Sequence, residues 1–181
     1  MVSYIDSWDG KMDITLTLAK LIECELPVIV CVGTDRVVSD MIAPLTAEYL
    51  VAKQIPAYVY GRLANPITNR NLHSAFRYIH DSHKGKQIIV IDAGVGKMCD
   101  IGKVRVNRGG IIPAGVFGGS RVMYGDVSIM PIVSTLSIDA KTFLSCAKFN
   151  VVNNTAKSLA ECISMALQIS KHTLNTISNF A

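Results

Sequence analysis

Two short, almost wholly apolar runs constrain the fold of this chain most: PVIVCVG at residues 27–33 and QIIVIDAGVG at residues 87–96. Both are rich in valine and isoleucine, and neither places a polar residue at every second position, as a strand with one solvated face would. Such runs are typical of parallel strands that are covered on both faces. They predict two buried strands of a parallel sheet.

The segments around these runs have helical or strand-like periodicity. KMDITLTLAKLIECEL and SDMIAPLTAEYLVAKQ place apolar residues at three- and four-residue intervals, which predicts helices. PAYVYG predicts a further strand, and NPITNRNLHSAFRYIHDSHKG predicts a helix from about Thr68. This alternation of helix and strand is typical of a mostly parallel α/β sheet.

The second half of the chain is less regular. Residues 100–133 are dense in glycine and β-branched residues, so we expect short strands and loops at one edge of the sheet. Residues 134–149 and 155–177 predict two closing helices, the latter with a broad apolar face. The chain has 181 residues and neither an internal repeat nor a long linker, so we expect one α/β domain over residues 1–181.

Composition narrows the class of protein. Half of the residues are hydrophobic, yet no uninterrupted apolar stretch reaches the length of about 20 residues that a membrane span needs. The first residues lack the pattern of a secretory signal, and the five cysteines are scattered, so we expect a cytoplasmic protein with reduced thiols. The net charge of +4 is dispersed, which argues against a nucleic-acid surface. The apolar composition leads us to expect self-association.

Two aspartates follow the buried runs. Asp40 comes shortly after the first run and Asp92 closes the second. Ligands of parallel α/β sheets bind beyond the carboxyl ends of the strands, so both carboxylates are expected in one crevice. Two close carboxylates can divide into an acid and a base at one pH, or they can share a divalent cation. The sequence predicts such a pair of carboxylates, and it leaves open whether they act as an acid and a base or bind a divalent cation.

Each acid also has an ordinary structural interpretation. Asp40, or Ser39 beside it, can cap the helix that follows, and Asp92 can be paired or hydrogen-bonded where the strand ends. Asp35 can pair with Arg36 or form an Asx turn. Asp126 is the best remaining acid for the same crevice, with a role in a turn as its alternative.

Four segments together carry a resemblance to a known family: VCVGTDRVVSDMIAPL, VYGRLANPITNRNL, IIVIDAGVG and VMYGDVSI. In order and spacing they resemble the YyaC family of sporulation proteins of endospore formers. That family is related to germination protease, which degrades small acid-soluble spore proteins, and more distantly to hydrogenase maturation protease. The resemblance covers about residues 25 to 170.

The resemblance implies a three-layer α/β sandwich, with helices on both faces of a mostly parallel sheet. It also implies a peptidase site, because Asp40 and Asp92 match the proposed catalytic aspartates of germination protease. Thr34 and Asp35 in the GTDR segment would support the site or bind substrate, as would Asp126. Acidic nickel ligands of hydrogenase maturation proteases match the same pair, so a divalent metal there would involve Asp40 and Asp92.

Three departures from the family pattern support a rival hypothesis. Ser39 and Ala43 stand where the family has glycine, and Thr68 stands where it has histidine. A catalytically inactive relative that binds a peptide or protein during sporulation would tolerate such changes. The expected partners are therefore a peptide or protein, such as small acid-soluble spore proteins, in the spore or forespore. A flavodoxin-like nucleotide binder is a third reading, but DAGVGK lacks the GxGxxG order.

Overall fold

The computed structural model describes residues 1–112, 122–135 and 148–178. Two single-turn 3-10 helices cover Ser39–Met41 and Met98–Asp100. The other described elements are, in chain order, β1 (Val2–Tyr4), α1 (Trp8–Leu21), β2 (Val28–Val32), α2 (Ile42–Ala52), β3 (Tyr58–Tyr60), α3 (Leu72–Ser82), β4 (Ile88–Asp92), β5 (Gly94–Gly96), β6 (Lys103–Arg108), β7 (Val127–Thr135) and α4 (Phe149–Ser178).

The strands form a mixed sheet in the order β1-β6-β7-β4-β2-β3, with β5 paired to β7. The pairs β7 with β4, β4 with β2 and β2 with β3 are all parallel. β6 runs antiparallel to β7 and β1 runs antiparallel to β6. The predicted buried runs are β2 and β4, which lie side by side in the parallel part of the sheet.

Helices cover both faces of this sheet, which confirms the three-layer sandwich. On one face, alternate residues of β2 and β4 pack with α1, α2 and α4; Ile29, Ile91 and Leu159 belong to this cluster. On the other face Val30 and Phe76 pack in the cluster that involves α3. Burying one such side chain stabilises the fold by about 1.5–3 kcal/mol. The double coverage explains why β2 and β4 are apolar without alternation.

The helices begin at places that local hydrogen bonds explain. α1 begins at Trp8, three residues before the predicted segment, because the Ser7 hydroxyl caps it and accepts a hydrogen bond from the Gly10 amide at 3.1 Å. α3 begins at Leu72 and not at Thr68. Residues 68–71 instead form a turn in which the Asn71 amide donates to the Thr68 carbonyl at 3.1 Å.

The strand β7 corrects one prediction. We expected short strands and loops at an edge of the sheet, but β7 spans nine residues and lies inside the sheet between β4 and β6. β1 was not predicted at all. Most of the predicted helix over residues 134–149 lies outside the described residues. Its first two residues, 134 and 135, are the last two of β7, and its last residue, 149, is the first of α4.

Two further findings concern cysteines and long helices. The described cysteines, Cys24, Cys31, Cys99 and Cys162, are free thiols, and Cys146 lies outside the described residues. α4 has 30 residues, but neither it nor any other described helix has the length and apolarity to cross a membrane.

Candidate active site

The carboxyl ends of β2 and β4 form the floor of the candidate site. The two strands are parallel, and Val32 near the end of β2 lies opposite Asp92 at the end of β4. Beyond Val32 the chain leaves the sheet at Gly33 and returns through the 3-10 turn that contains Asp40. The parallel register therefore places Asp92 at the sheet edge where that turn lies.

Gly33 allows the turn to approach the sheet closely. A Cβ atom added at Gly33 would lie 2.1 Å from the carbonyl oxygen of Asp40, so no side chain fits between them. The next nearest atom would be Cδ of Pro44, in the first turn of α2. The glycine thus fixes the backbone of Asp40 against the end of β2.

Asp40 does not cap a helix, which makes the capping interpretation wrong. The N-cap residue of the 3-10 turn is Val38 and that of α2 is Met41, so neither Ser39 nor Asp40 has the capping position. Burial raises the pKa of the half-buried Asp40 carboxyl, and the backbone N–H of Thr34 opposes this rise by hydrogen-bonding to the carboxylate. Asp40 therefore lies within the 3-10 turn and does not act as an N-cap.

Asp92 has the most perturbed carboxyl among the described residues. Burial is the largest cause, the nearby charge of Asp40 adds to it, and the backbone N–H of Ala93 opposes it; together they raise the pKa to about 8. The influence of Asp40 means that the two groups interact electrostatically. Asp92 is therefore the member of the pair that keeps its proton at neutral pH, and two close carboxyls with separated pKa values can act as an acid and a base.

Thr34 and Asp35 form a local turn beside the pair. The Thr34 hydroxyl accepts a hydrogen bond from the Arg36 amide at 3.3 Å and donates to Oδ1 of Asp35 at 3.4 Å. The Asp35 side chain is exposed. Thr34 thus contacts the pair through its backbone N–H, whereas Asp35 borders the site without being buried in it.

The structure places Asp126 away from the crevice, so its predicted position is wrong. Asp126 immediately precedes β7, whose Val127 lies opposite Ile89 near the start of β4. Its carboxylate accepts a hydrogen bond from the Ile88 amide at 2.8 Å, and its own amide donates to the Ile88 carbonyl at 2.7 Å. Asp126 therefore lies at the amino end of these strands, at the opposite edge from Asp92.

A loop that the sequence analysis did not assign to the site borders it on the side of β3. Ile67 forms an isolated parallel bridge with Val32, and its carbonyl accepts from the Gly33 amide at 2.9 Å. Asn71 holds this loop: its Oδ1 accepts from the Thr68 amide at 2.7 Å, and its Nδ2 donates to the Pro66 carbonyl at 3.0 Å. The signal in the sequence was the cluster of turn residues in NPITNRN, where a proline is followed by threonine and asparagine side chains that bond to the nearby backbone.

The three residues that depart from the family pattern are buried or engaged within their own loop. Ser39 and Ala43 are both fully buried, so their side chains are enclosed by protein and do not extend into solvent above the carboxylates. The Thr68 hydroxyl is engaged with its own loop, accepting from the Arg70 amide at 3.3 Å. The hypothesis of a catalytically inactive relative therefore stays a prediction.

The residues of the pair make an incomplete metal site by themselves. Across the described ranges no group of three or more His, Cys, Asp and Glu side chains is placed to hold a metal ion. Two carboxylates supply hard oxygen ligands for a divalent cation, but further ligands would have to come from water or substrate.

Comparison with known proteins identifies the family of the chain. Residues 6–164 match the family described as protein of unknown function DUF1256. The chain is 31% identical over 139 residues to the uncharacterized protein YyaC of Bacillus subtilis strain 168, covering 76% of this chain and 68% of that protein. This confirms the resemblance drawn from the four segments.

A solved structure shares the fold. The crystal structure of the [NiFe] hydrogenase maturation protease HycI from Thermococcus kodakarensis KOD1 superposes with a TM-score of 0.53 and 14% identity, covering 84% of this chain and 99% of that one. At this identity the likeness concerns the architecture of the sheet and its helices. By the extent of its sequence match, the chain belongs to the DUF1256 family.

Proposed function

We propose that this protein is a peptidase in which Asp40 and Asp92 act as a pair. The observation that carries the proposal is the position of the two acids at one end of the sheet: Asp92 lies opposite Val32, the turn of Asp40 lies against Gly33, and the charge of Asp40 helps to raise the pKa of Asp92 to about 8. A pair that shares one proton offers a base and an acid at neutral pH.

Hydrolysis of a peptide bond needs both functions. The ionised carboxylate takes a proton from water as the water oxygen attacks the carbonyl carbon. The protonated carboxyl gives its proton to the amide nitrogen as the C–N bond breaks. The products are a free carboxyl end and a free amino end. The pair again holds one proton, now on the carboxyl that acted as the base, and transfer of this proton to the other carboxyl restores the starting form. General acid–base catalysis of this kind contributes about 10²–10⁴-fold.

The family resemblance supports a class of substrate and a cellular compartment for this activity. Germination protease degrades small acid-soluble spore proteins, and the positions of its proposed catalytic aspartates match Asp40 and Asp92. We therefore propose proteins of that class as substrates, in the spore or forespore, with the protein acting during sporulation. A divalent metal held by Asp40 and Asp92, with both carboxyls ionised, is the alternative to a shared proton, and titration of activity with metal and with chelator distinguishes the two.

The rival proposal is a binding protein that lacks catalysis. It would share the crevice and the pair, but its carboxyl groups would act only in holding a partner. The raised pKa of Asp92 favours the enzyme, because carboxyls whose pKa is shifted by burial and by a second acid cluster at sites of proton transfer.

The experiment incubates the purified protein with small acid-soluble spore proteins and follows cleavage by mass spectrometry. Asp40→Asn and Asp92→Asn are each expected to lower the rate by at least about 100-fold, since each removes one of the two proton-transferring groups. Asp126→Asn is the matched control at the opposite edge and is expected to cleave normally. Cleavage that survives both substitutions in the pair would contradict the proposal.

A further inference from the structure

We infer that the protein has a second ligand site, at the opposite edge of the sheet from Asp92, and that this site binds a free apolar amino acid of the size of leucine. The inference goes beyond the proposed function and does not depend on it. It rests on a cavity, on two residues of opposite charge at the mouth of that cavity and on a strained residue in its wall.

The cavity lies beside the amino ends of β2 and β3. Its wall is formed by the loop between α1 and β2, by the loop before β3 and by the second half of α4, and its volume is about 190 Å³. Pro27 lines the cavity and immediately precedes β2, whereas Asp92 lies opposite Val32 at the other end of that strand. The length of β2 therefore separates the cavity from the candidate active site.

The size of the cavity limits the size of the ligand. Pockets for drug-sized ligands measure about 300–1,000 Å³, so a molecule of that size does not fit. An apolar cavity of about 150 Å³ is large enough to bind benzene. A cavity of about 190 Å³ therefore holds one aliphatic or aromatic group of about four to six carbons.

The deep part of the cavity is apolar. Ile22, Pro27 and Leu167 line it, and all three are buried. Ser170 lines it too, but its hydroxyl is engaged, because it donates to the Ile22 carbonyl at 3.0 Å. A polar group placed against these side chains would lose its hydrogen bonds to water without replacement. The buried end of the ligand is therefore a hydrocarbon group.

Two charged residues, Glu25 and Lys171, line the cavity and are exposed, so they lie at its mouth. Glu25 belongs to the loop between α1 and β2, and Lys171 belongs to α4. Neither side chain forms an ion pair with a residue that the structure describes. A carboxylate and an ammonium that are both available at one mouth complement the ammonium and the carboxylate of an amino acid.

The surroundings favour the ammonium of the ligand on the side of Glu25. α1 ends at Leu21, just before the loop that carries Glu25, and the C-terminal end of a helix favours a positive charge. The Lys86 ammonium donates to the Glu25 backbone carbonyl at 3.1 Å and does not pair with the Glu25 carboxylate. That carboxylate therefore stays available to the ligand, whose own carboxylate is then bound by Lys171.

Leu26, between Glu25 and Pro27, has a backbone conformation that leucine rarely adopts. Its φ is +52°, in the left-handed region, where the Cβ atom of an L-residue is crowded. A proline that follows also restricts the residue before it to extended backbone angles. Strained residues of this kind cluster at ligand sites. Leu26 lines the cavity with 43% of its surface exposed, and an apolar ligand would cover it.

The test titrates the ¹⁵N-labelled protein with leucine and three analogues and follows the amide resonances. Leucinamide lacks the carboxylate, N-acetylleucine lacks the ammonium, and alanine has only a methyl group in place of the side chain that fills the cavity. We expect millimolar leucine to shift the amides of Ile22, Cys24 and Leu26, which line the cavity. Each analogue is expected to bind at least about tenfold more weakly than leucine.

Substitutions at the mouth assign each charge of the ligand to its partner. Lys171→Met is expected to lower the affinity for leucine about tenfold and to leave the affinity for leucinamide unchanged. Glu25→Gln is expected to lower the affinity for leucine to a similar extent and to leave the affinity for N-acetylleucine unchanged. Lys157→Met, at an exposed lysine in the first half of α4, is the matched control and is expected to bind leucine normally.

Several results would overturn the inference. If leucine shifts none of these amides, the cavity is not its site. If leucine, leucinamide and N-acetylleucine bind equally, the charges at the mouth do not recognise an amino acid. If Lys157→Met weakens binding as much as Lys171→Met does, the effect belongs to the net charge. The proposed peptidase activity is tested separately, because Glu25 and Lys171 lie at the opposite edge of the sheet from Asp92.

Discussion

The two ends of β4 carry aspartates in contrasting environments. Asp126, next to the amino end, is exposed and accepts a hydrogen bond from the Ile88 amide, which completes the ladder where the strand begins. Asp92, at the carboxyl end, is half-buried beside Asp40, and its pKa is raised to about 8. The carboxylate of Asp126 stabilises the sheet through its hydrogen bond. Asp92 lies where burial disfavours its ionised form, so ionisation of Asp92 lowers the free energy of unfolding. Sites that cost stability in this way are expected where function requires them.

The largest expected effect is a difference in stability between Asp92→Asn and Asp126→Asn. The folded protein keeps the proton of Asp92 between about pH 4 and pH 8, where the unfolded chain has lost it. The free energy of unfolding of the wild type therefore falls as pH rises through this range, and it levels above pH 8. Asp92→Asn removes that dependence, and we expect a gain of about 2–4 kcal/mol at pH 8.

Urea unfolding at pH 4.5 and pH 8 measures this effect, with Asp126→Asn as the comparison. That variant keeps a side-chain oxygen that can accept from the Ile88 amide and loses only the charge on the acceptor, so it is expected to be less stable by no more than about 0.5 kcal/mol at pH 8. Equal pH dependence in wild type and Asp92→Asn would show that the Asp92 carboxyl titrates normally, and the contrast between the two ends of β4 would disappear.

A second prediction compares two glycines with positive φ. Gly33→Ala places a Cβ atom 2.1 Å from the Asp40 carbonyl oxygen, whereas at Gly85, with φ +75°, an added Cβ has no atom within 4 Å. Gly85→Ala therefore meets only the backbone cost of about 1 kcal/mol. Gly33→Ala must also displace the turn, and we expect a loss of about 3 kcal/mol.

Thermal unfolding measures both glycine variants, and the pKa of Asp92 supplies a second readout. Displacing the turn moves Asp40, so Gly33→Ala is expected to change the Asp92 titration, which Gly85→Ala leaves as it is. Similar losses of stability in the two variants would mean that the turn does not depend on close contact with Gly33.

A third prediction concerns the pair alone. Asp40→Asn removes the charge that helps to raise the pKa of Asp92, but it leaves the larger effect of burial. The pKa of Asp92 is therefore expected to fall and to stay above its ordinary value. Titration of the ¹³C carboxyl resonances measures it. An unchanged pKa would show that the two carboxyls do not interact, and the shared proton would have to be abandoned.

The sequence predicted the centre of the sheet better than its flanks. β2 and β4 are continuous apolar runs because both of their faces are covered, so composition alone marks them as buried parallel strands. β7 was not recognised as an inner strand because its partners, β4 and β6, are set by long-range pairing that no local pattern shows. β1 has only three residues, too few for any periodicity.

The candidate site could be predicted in part because β2 and β4 were recognised as parallel strands. Asp40 and Asp92 follow β2 and β4, and residues that follow parallel strands lie at one edge. Asp126 comes before β7 and not after it. Because β7 is parallel to β4, a residue that precedes β7 lies at the edge of the sheet opposite to Asp92. The Ile67 loop depends on Asn71, whose hydrogen bonds to Pro66 and Thr68 link residues that are neighbours in sequence but are not part of a helix or strand.

The smallest expected effect tests that loop. Asn71→Ala removes the acceptor of the Thr68 amide and the donor to the Pro66 carbonyl, two partly exposed hydrogen bonds worth about 1 kcal/mol together. Hydrogen exchange is expected to become faster at the Thr68 amide and, because Ile67 accepts from it, at the Gly33 amide. Ser74→Ala is the matched control, since the Ser74 hydroxyl donates to the Asn71 carbonyl at 2.9 Å and does not contact the loop at Pro66–Thr68. If exchange becomes faster at Thr68 alone, Ile67 stays beside β2 without the hydrogen bonds of Asn71. The bridge between Ile67 and Val32 would then be enough to fix this loop.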